Sequence, residues 1–301
     1  MPELPDITVY TECLADRIVG KELRETEIIN PFVLRTVVPP VAMFSGRKTR
    51  EVRRLGKRIV LGFDDEMFLV IHLMIAGRLL WRPAGVKVGS GRTMALLRYN
   101  TGTILFRELS KKKRASIHLV QGNDQLSAFD FGGLEILEAT LNQFRERLHN
   151  ENHTLKRTLT DPRIFSGVGN AYSDEILHRA RLSPIRQSQS LTSDEDEVLF
   201  HASRDTLQIW TDSLREEVKD GFPEHITAFR PEMAVHGRYR NPCPDCGAPV
   251  QRIVHAENEV NYCPGCQTDG KILADRSISR LLKKNWPRDL NELELRGLGS
   301  R

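Results

Sequence analysis

Two CxxC pairs near the end of the chain, Cys243-Pro244-Asp245-Cys246 and Cys263-Pro264-Gly265-Cys266, stand sixteen residues apart and constrain the fold more than any other feature. The spacing fits a four-thiolate zinc site, in which tetrahedral sulfurs close the coordination sphere and leave the metal a structural role. Two disulfides or a redox pair are the competing readings. Only five cysteines occur in 301 residues, the fifth, Cys13, is remote, and no secretory or membrane-spanning stretch stands at the start. This usage points to a reducing compartment and favours one structural Zn2+ on Cys243, Cys246, Cys263 and Cys266. Residues 252–256 and 260–262 then read as a short hairpin that the metal holds together.

At the opposite end, the chain opens Met1-Pro2-Glu3-Leu4-Pro5-Asp6. Removal of Met1 would leave the Pro2 nitrogen as a free secondary amine beside a carboxylate. An α-amino group has an ordinary pKa of about 8, so a usable fraction is unprotonated near neutrality. A secondary amine adding to an aldehyde or acetal carbon gives an iminium ion, an electron sink that needs no further proton. Glu3 is placed to donate or accept the accompanying proton. An ordinary processed N-terminus is the bland alternative, and the hexapeptide alone does not exclude it.

Between these ends the pattern is α+β. An amphipathic helix over 6–19 is followed by strand-like runs at 22–29, 58–63, 67–75, 78–81, 93–99 and 103–108, which imply a two-layer β-sandwich. Helical spacing then dominates, over 141–148, 154–159, 171–180 and 193–214, with 215–219 as an extension. The expected organisation is a β-sandwich domain at 1–125, a linker at 126–139, a helical domain at 140–240, a metal module at 241–267 and a basic extension at 268–301. In that extension, Ile278, Leu281 and Leu282 with Arg280, Lys283 and Lys284 give a basic amphipathic helix after Asp275.

Forty-four Lys and Arg against 40 Asp and Glu leave a net charge of only +4, so bulk charge does not establish a nucleic-acid partner. Placement is more telling. Basic residues gather at 47–58, at Lys111-Lys112-Lys113-Arg114, at Arg238-Tyr239-Arg240 and at 276–288. A solvated face is the common meaning of each run, whereas four of them beside a metal hairpin favour phosphate contacts. The turn Ser166-Gly167-Val168-Gly169-Asn170 supplies glycines for close backbone approach and an asparagine able to cap the next helix, either structurally or at a phosphate.

Taken in order, Pro2-Glu3-Leu4-Pro5, Gly56-Lys57, His72-Leu73, Gly167-Val168-Gly169-Asn170, Val235-His236-Gly237-Arg238 and the two knuckles resemble the formamidopyrimidine-DNA glycosylase and endonuclease VIII family over residues 1 to about 267. The resemblance implies an N-terminal helix with a β-sandwich, a helix-two-turn-helix domain and a zinc-bound hairpin. It also implies a bifunctional glycosylase and abasic-site lyase of base excision repair. Pro2 would attack the anomeric carbon of a damaged nucleotide, and Glu3 would protonate the departing sugar oxygen. Lys57 would contact a phosphate or the base, and Asp6 keeps a second carboxylate where the family usually has glutamate. Asn170, Ile75, Lys112, Lys113, Arg114, Arg238 and Asn258 take the places of DNA contacts. The expected partner is damaged DNA, with no membrane partner, in a monomer of bacterial type in the cytoplasm at the nucleoid.

Three departures mark this member as divergent. The aromatic wedge usual in the oxidised-purine branch is missing, since Ile75 and Lys112-Lys113-Arg114 occupy the corresponding places. Asn258, between Glu257 and Glu259, replaces the hairpin arginine that normally meets the lesion phosphate, and carboxylates there oppose an anion. His236 replaces a tyrosine, and Asn241 an acidic residue. A DNA-binding paralogue with little excision activity is therefore the alternative function, and 216–229 is the segment able to form a lesion-capping loop.

Overall fold

The computed structural model describes residues 1–89, 91–112, 114–224, 230–255, 258–274 and 286–295. Helix α1 (Leu4–Ile18) precedes strands β1 (Glu22–Ile28), β2 (Arg47–Leu55), β3 (Arg58–Phe63), β4 (Met67–His72), β5 (Gly77–Arg82), β6 (Thr93–Tyr99), β7 (Thr103–Glu108) and β8 (Ser116–Gln121), then the short helix α2 (Asn123–Ser127). Helices α3 (Leu141–His149), α4 (Leu155–Thr160), α5 (Asn170–Arg179) and α6 (Ser193–Val218) follow. Strands β9 (Gln251–His255) and β10 (Asn258–Tyr262) precede helices α7 (Pro264–Gln267) and α8 (Leu290–Leu295). The expected mixed architecture of helix, sandwich, helical domain and metal hairpin is present.

The chain forms two compact units, one of Met1–Phe131 with Ile209–Thr227, the other of Gly132–Gln208 with Ala228–Arg301. In the first, eight antiparallel strands run in the order β5-β7-β6-β1-β2-β3-β4-β8. Strands β1 and β2 pair only at Glu22↔Lys48 and Leu23↔Arg47, so the sheet folds at this narrow join into two four-stranded layers. Leu61, Leu69 and Ile117 of one layer and Leu79, Leu97 and Phe106 of the other share a core with Ile7, Tyr10, Leu14 and Ile18 of α1. Burial of those side chains, each contributing about 1.5–3 kcal/mol, fixes α1 and hence the start of the chain.

The apolar run through residue 75 predicts a longer β4, but the strand ends at His72 because Met74 takes φ +52° and the Gly77 amide returns to the Leu73 carbonyl at 2.8 Å. A Cβ at Gly77 would lie 2.3 Å from that same carbonyl oxygen, so only glycine closes this turn. Within the first unit, Val9 and Cys13 of α1 pack on Leu214, Val218 and Phe222. Arg17 clamps the end of that segment by donating to the Asp220 and Gly221 carbonyls at 3.0 and 2.6 Å.

In the second unit, Phe144 of α3 stacks on Phe165 and packs at a tilt on Phe200 of α6. None of the described helices is long and apolar enough to cross a membrane. The basic helix expected after Asp275 lies outside the described residues, as does the 225–229 part of the expected capping loop.

Candidate functional site

Burial holds the amino group at residue 1 below the ordinary α-amino value; Glu3 and Asp6 oppose that shift, and Arg78 and Lys57 add to it. These four side chains therefore make up the charged surroundings of the amine. Pro2 is buried, and Glu3 and Asp6 are each 2% exposed. Asp6 occupies the third position of α1, and its Oδ2 accepts the Glu3 backbone N–H at 2.8 Å. The carboxylate thus fixes the backbone of the neighbouring acid and satisfies an amide that a helix start leaves unpaired. Its negative charge also suits the positive end of the helix.

Lys57 sits on a two-residue hairpin turn, since Leu55 pairs with Arg58 and Gly56 takes φ +59°. That left-handed angle explains the glycine, because no neighbour lies within 4 Å of a Cβ there. Arg78 carries no signal in the sequence; on β5 it donates to the carbonyls of Gly77 at 2.6 Å and Ile75 at 3.2 Å. Ile75 is 59% exposed at the tip of this turn, and Leu109, 45% exposed, is tied to it through a 3.1 Å bond from its amide to the Ala76 carbonyl. Lys112 and Arg114 lie exposed on the adjacent loop, which buried Glu108 closes by accepting from the Ser110 and Ala115 amides. Lys113 is outside the described residues.

The turn sequence makes Asn170 a candidate helix cap, but Gly169 holds that place and Asn170 is the first residue of α5. Its side-chain amide instead donates to the Glu259 carbonyl of the hairpin at 2.8 Å, and its own carbonyl accepts Lys156 Nζ at 2.7 Å. Lys156 also pairs with Asp174 Oδ1, while Asp174 Oδ2 meets His236 Nδ1 at 2.7 Å and the Asn261 amide at 3.2 Å. Glu175 accepts the amides of Ala234, Val235 and His236. These buried carboxylates tie α5 to the 234–236 segment and the hairpin. Arg238 donates to the Pro231 and Met233 carbonyls.

Asn258 pairs with His255 in the β9–β10 ladder. Beside it, Glu259 pairs with Arg252 at 2.9 Å, and Arg252 stacks over the Tyr239 ring at 4.3 Å. By sequence alone Glu259 opposes an anion, whereas pairing with Arg252 partly offsets that charge.

The second unit also carries a donor cluster able to hold a metal ion. Cys246 and Cys263 sulfurs stand 3.3 Å apart, Cys243 and Cys266 sulfurs 3.8 Å apart. Sulfurs sharing one zinc at about 2.3 Å would be about 3.8 Å from one another, a separation that the Cys243–Cys266 pair matches and the Cys246–Cys263 pair falls short of. His178, unremarkable in the sequence, places Nε2 3.3 Å from Cys243 Sγ, and with Cys243, Cys263 and Cys266 it forms a set of donors all within 4.8 Å. No spacing rule connects a helix residue at 178 with the knuckles.

Residues 1–122 match the formamidopyrimidine-DNA glycosylase N-terminal domain, and residues 135–215 match the H2TH domain of the same enzymes. The formamidopyrimidine-DNA glycosylase of Thermus thermophilus is 33% identical over 287 residues, which cover 90% of this chain and 100% of the relative. This chain belongs to the formamidopyrimidine-DNA glycosylase family. A second relative, from Chloroflexus aurantiacus, is 30% identical across 89% of this chain and 98% of its own. Among solved structures, the MutM (Fpg) protein of Thermus thermophilus superposes with a TM-score of 0.73 at 30% identity, covering 88% of this chain and 98% of that one. MutM in complex with DNA containing carbocyclic 8-oxo-G reaches 0.78 at 23% identity, covering 89% and 100%, and at that identity the likeness is one of fold.

Proposed function

We propose that this protein is a DNA glycosylase of base excision repair that removes oxidised or otherwise modified bases and also cleaves the abasic site. The buried amine at the chain's start, set among Glu3, Asp6, Lys57 and Arg78, carries the reading. Loss of Met1 would pass the amine to Pro2, already buried in the same place. Its lone pair attacks the sugar C1′, the bond from C1′ to the base breaks, and the base leaves with a proton. Glu3 protonates the ring oxygen as the sugar opens, so an iminium joins protein and DNA. Abstraction of a C2′ proton then expels the 3′ phosphate, and hydrolysis regenerates the amine. Burial and the nearby Lys57 and Arg78 would favour the unprotonated form of that amine, the form that can attack.

Asp6 holds the Glu3 backbone, and Lys57 and Arg78 favour the neutral amine. Ile75, Lys112, Lys113 and Arg114 serve on the first unit as DNA contacts, and Asn170, Arg238 and Asn258 on the second. Extrusion of the damaged nucleotide costs a few kcal/mol of unstacking, which an exposed aliphatic tip at Ile75 helps to offset. The soft thiol set suits a structural Zn2+ on Cys243, Cys246, Cys263 and Cys266. Zinc there supplies cross-linking of the hairpin and no reactive position.

Borohydride reduction in the presence of DNA with an abasic site should fix the protein covalently, with the adduct mapping to Pro2 by peptide mass spectrometry. A variant keeping one residue ahead of Pro2 should lose trapping by about a thousandfold or more. Equal trapping by that variant, or an adduct on a lysine, sinks the reading.

A further inference from the structure

We infer that the metal centre has two interchangeable donor sets, the four thiols and a second in which His178 Nε2 takes the place of Cys246. The two sets share Cys243, Cys263 and Cys266. Donor atoms of His178 and these three cysteines already lie within 4.8 Å of one another. Three thiolates with one imidazole is as closed a structural zinc environment as four thiolates, and the ion's filled d shell imposes no preference between them.

The four cysteines are not equivalent. Cys243 and Cys263 are buried and Cys266 is partly so, whereas Cys246 is exposed. Its sulfur reaches the group past Gly265, where a Cβ would stand 2.9 Å from it. His178, by contrast, is 4% exposed on α5. Helix α5, which carries it, is bound through Asp174 to the Asn261 amide, and Gln267 beside the last knuckle donates to the Leu182 carbonyl at 2.9 Å. Asp245 Oδ2 lies 3.9 Å from His178 Nε2, farther than the Cys243 sulfur, so the thiol is the closer neighbour of that nitrogen. With four thiolates bound, His178 sits against the Cys243 sulfur; when the solvent-facing Cys246 is lost, it closes the coordination sphere.

The inference does not rest on the proposed activity, and its test reads metal rather than excision. Full-length protein carrying Cys246→Ala, His178→Ala or both is loaded with Co2+, and metal content and thiolate-to-cobalt absorption are measured. Each single variant should retain one ion per chain, with the absorption of Cys246→Ala reduced by about a quarter. Its affinity should fall by no more than about 100-fold. The double variant should bind far more weakly than either. If His178→Ala changes nothing in the Cys246→Ala background, or if Cys246→Ala already binds no better than the double variant, the inference fails. Should Cys246→Ala not fold, alkylation of Cys246 in the zinc-loaded natural chain gives the same decision: retained zinc supports the second set, and released zinc overturns it.

Discussion

The two units hold their polar groups in opposite ways. In the first, the amine and the two carboxylates beside it lie within six residues of sequence, and the reciprocal capping bonds between Glu3 and Asp6 at a helix start fix them. In the second, Asp174 and Glu175 reach partners 18 to 87 positions away, and the donor cluster joins α5 to both knuckles. Reactive groups placed locally on a helix that the core already holds are separable from stability. Groups that themselves connect distant segments are not. Substitution of the acids at the start of the first unit should therefore remove activity and spare the fold, whereas substitution of the buried carboxylates of the second should cost stability first.

Glu3→Gln gives the largest effect expected. If Glu3 is the proton donor proposed above, its loss should slow base excision by about 10²–10⁴-fold, with the melting temperature within a few degrees of the natural chain. Comparable losses of activity and stability would break the contrast, because Glu3 would then be a structural residue. Asp174→Ala tests the other side. It leaves Lys156 and His236 buried without their shared carboxylate, a change worth about 3–5 kcal/mol. Thermal unfolding should fall by roughly 10 °C, and proteolysis should open the second unit first. An unchanged melting temperature would show that the network contributes no net stability. A chelator that removes the metal should likewise expose the 251–262 hairpin to hydrogen exchange while β3 and β4 stay protected.

This asymmetry also explains what the sequence disclosed. Strands β3, β6 and β7 match the expected ranges because their residues alternate or run apolar between clear turns. Strand β2 reads as a basic run, since Arg47, Arg50, Arg53 and Arg54 mask the inward Thr49 and Val52; its register comes from pairing with β3. Tertiary context overrides strand propensity in such a case. Strand β8 escapes a sequence reading for want of a turn signal after the lysine loop. At the chain start, Pro2, Glu3 and Asp6 stand out as candidates through residue type together with the family resemblance. Arg78, His178 and the Lys156–Asp174–His236 chain do not, because each acts through a partner that no helical or strand spacing predicts. The Gly167–Asn170 turn is legible as a turn, but not the commitment of the Asn170 amide to Glu259.

The smallest effect belongs to His72 and asks whether the first unit is insensitive to its own charges. Burial, then Arg58, Lys57 and His118, push the imidazole down to about 4. Arg58 faces it across the β3–β4 ladder, with its guanidinium over the Phe129 and Phe131 rings at 5.7 and 5.0 Å. In the unfolded chain the same side chain takes its proton near 6.5. Below that value the unfolded state binds more protons, so stability is intact above pH 6.5 and declines as pH falls toward 4. The half-buried position leaves solvent screening, and about 1–2 kcal/mol of the full linkage should survive. Denaturant unfolding can be followed by fluorescence, since two of the three tryptophans, Trp81 and Trp210, belong to this unit. Between pH 7 and 4.5 the natural chain should lose about that much more than His72→Gln. Equal losses in the two chains would show that His72 takes its proton freely in the folded state, and that the cations around it do not restrain the sandwich.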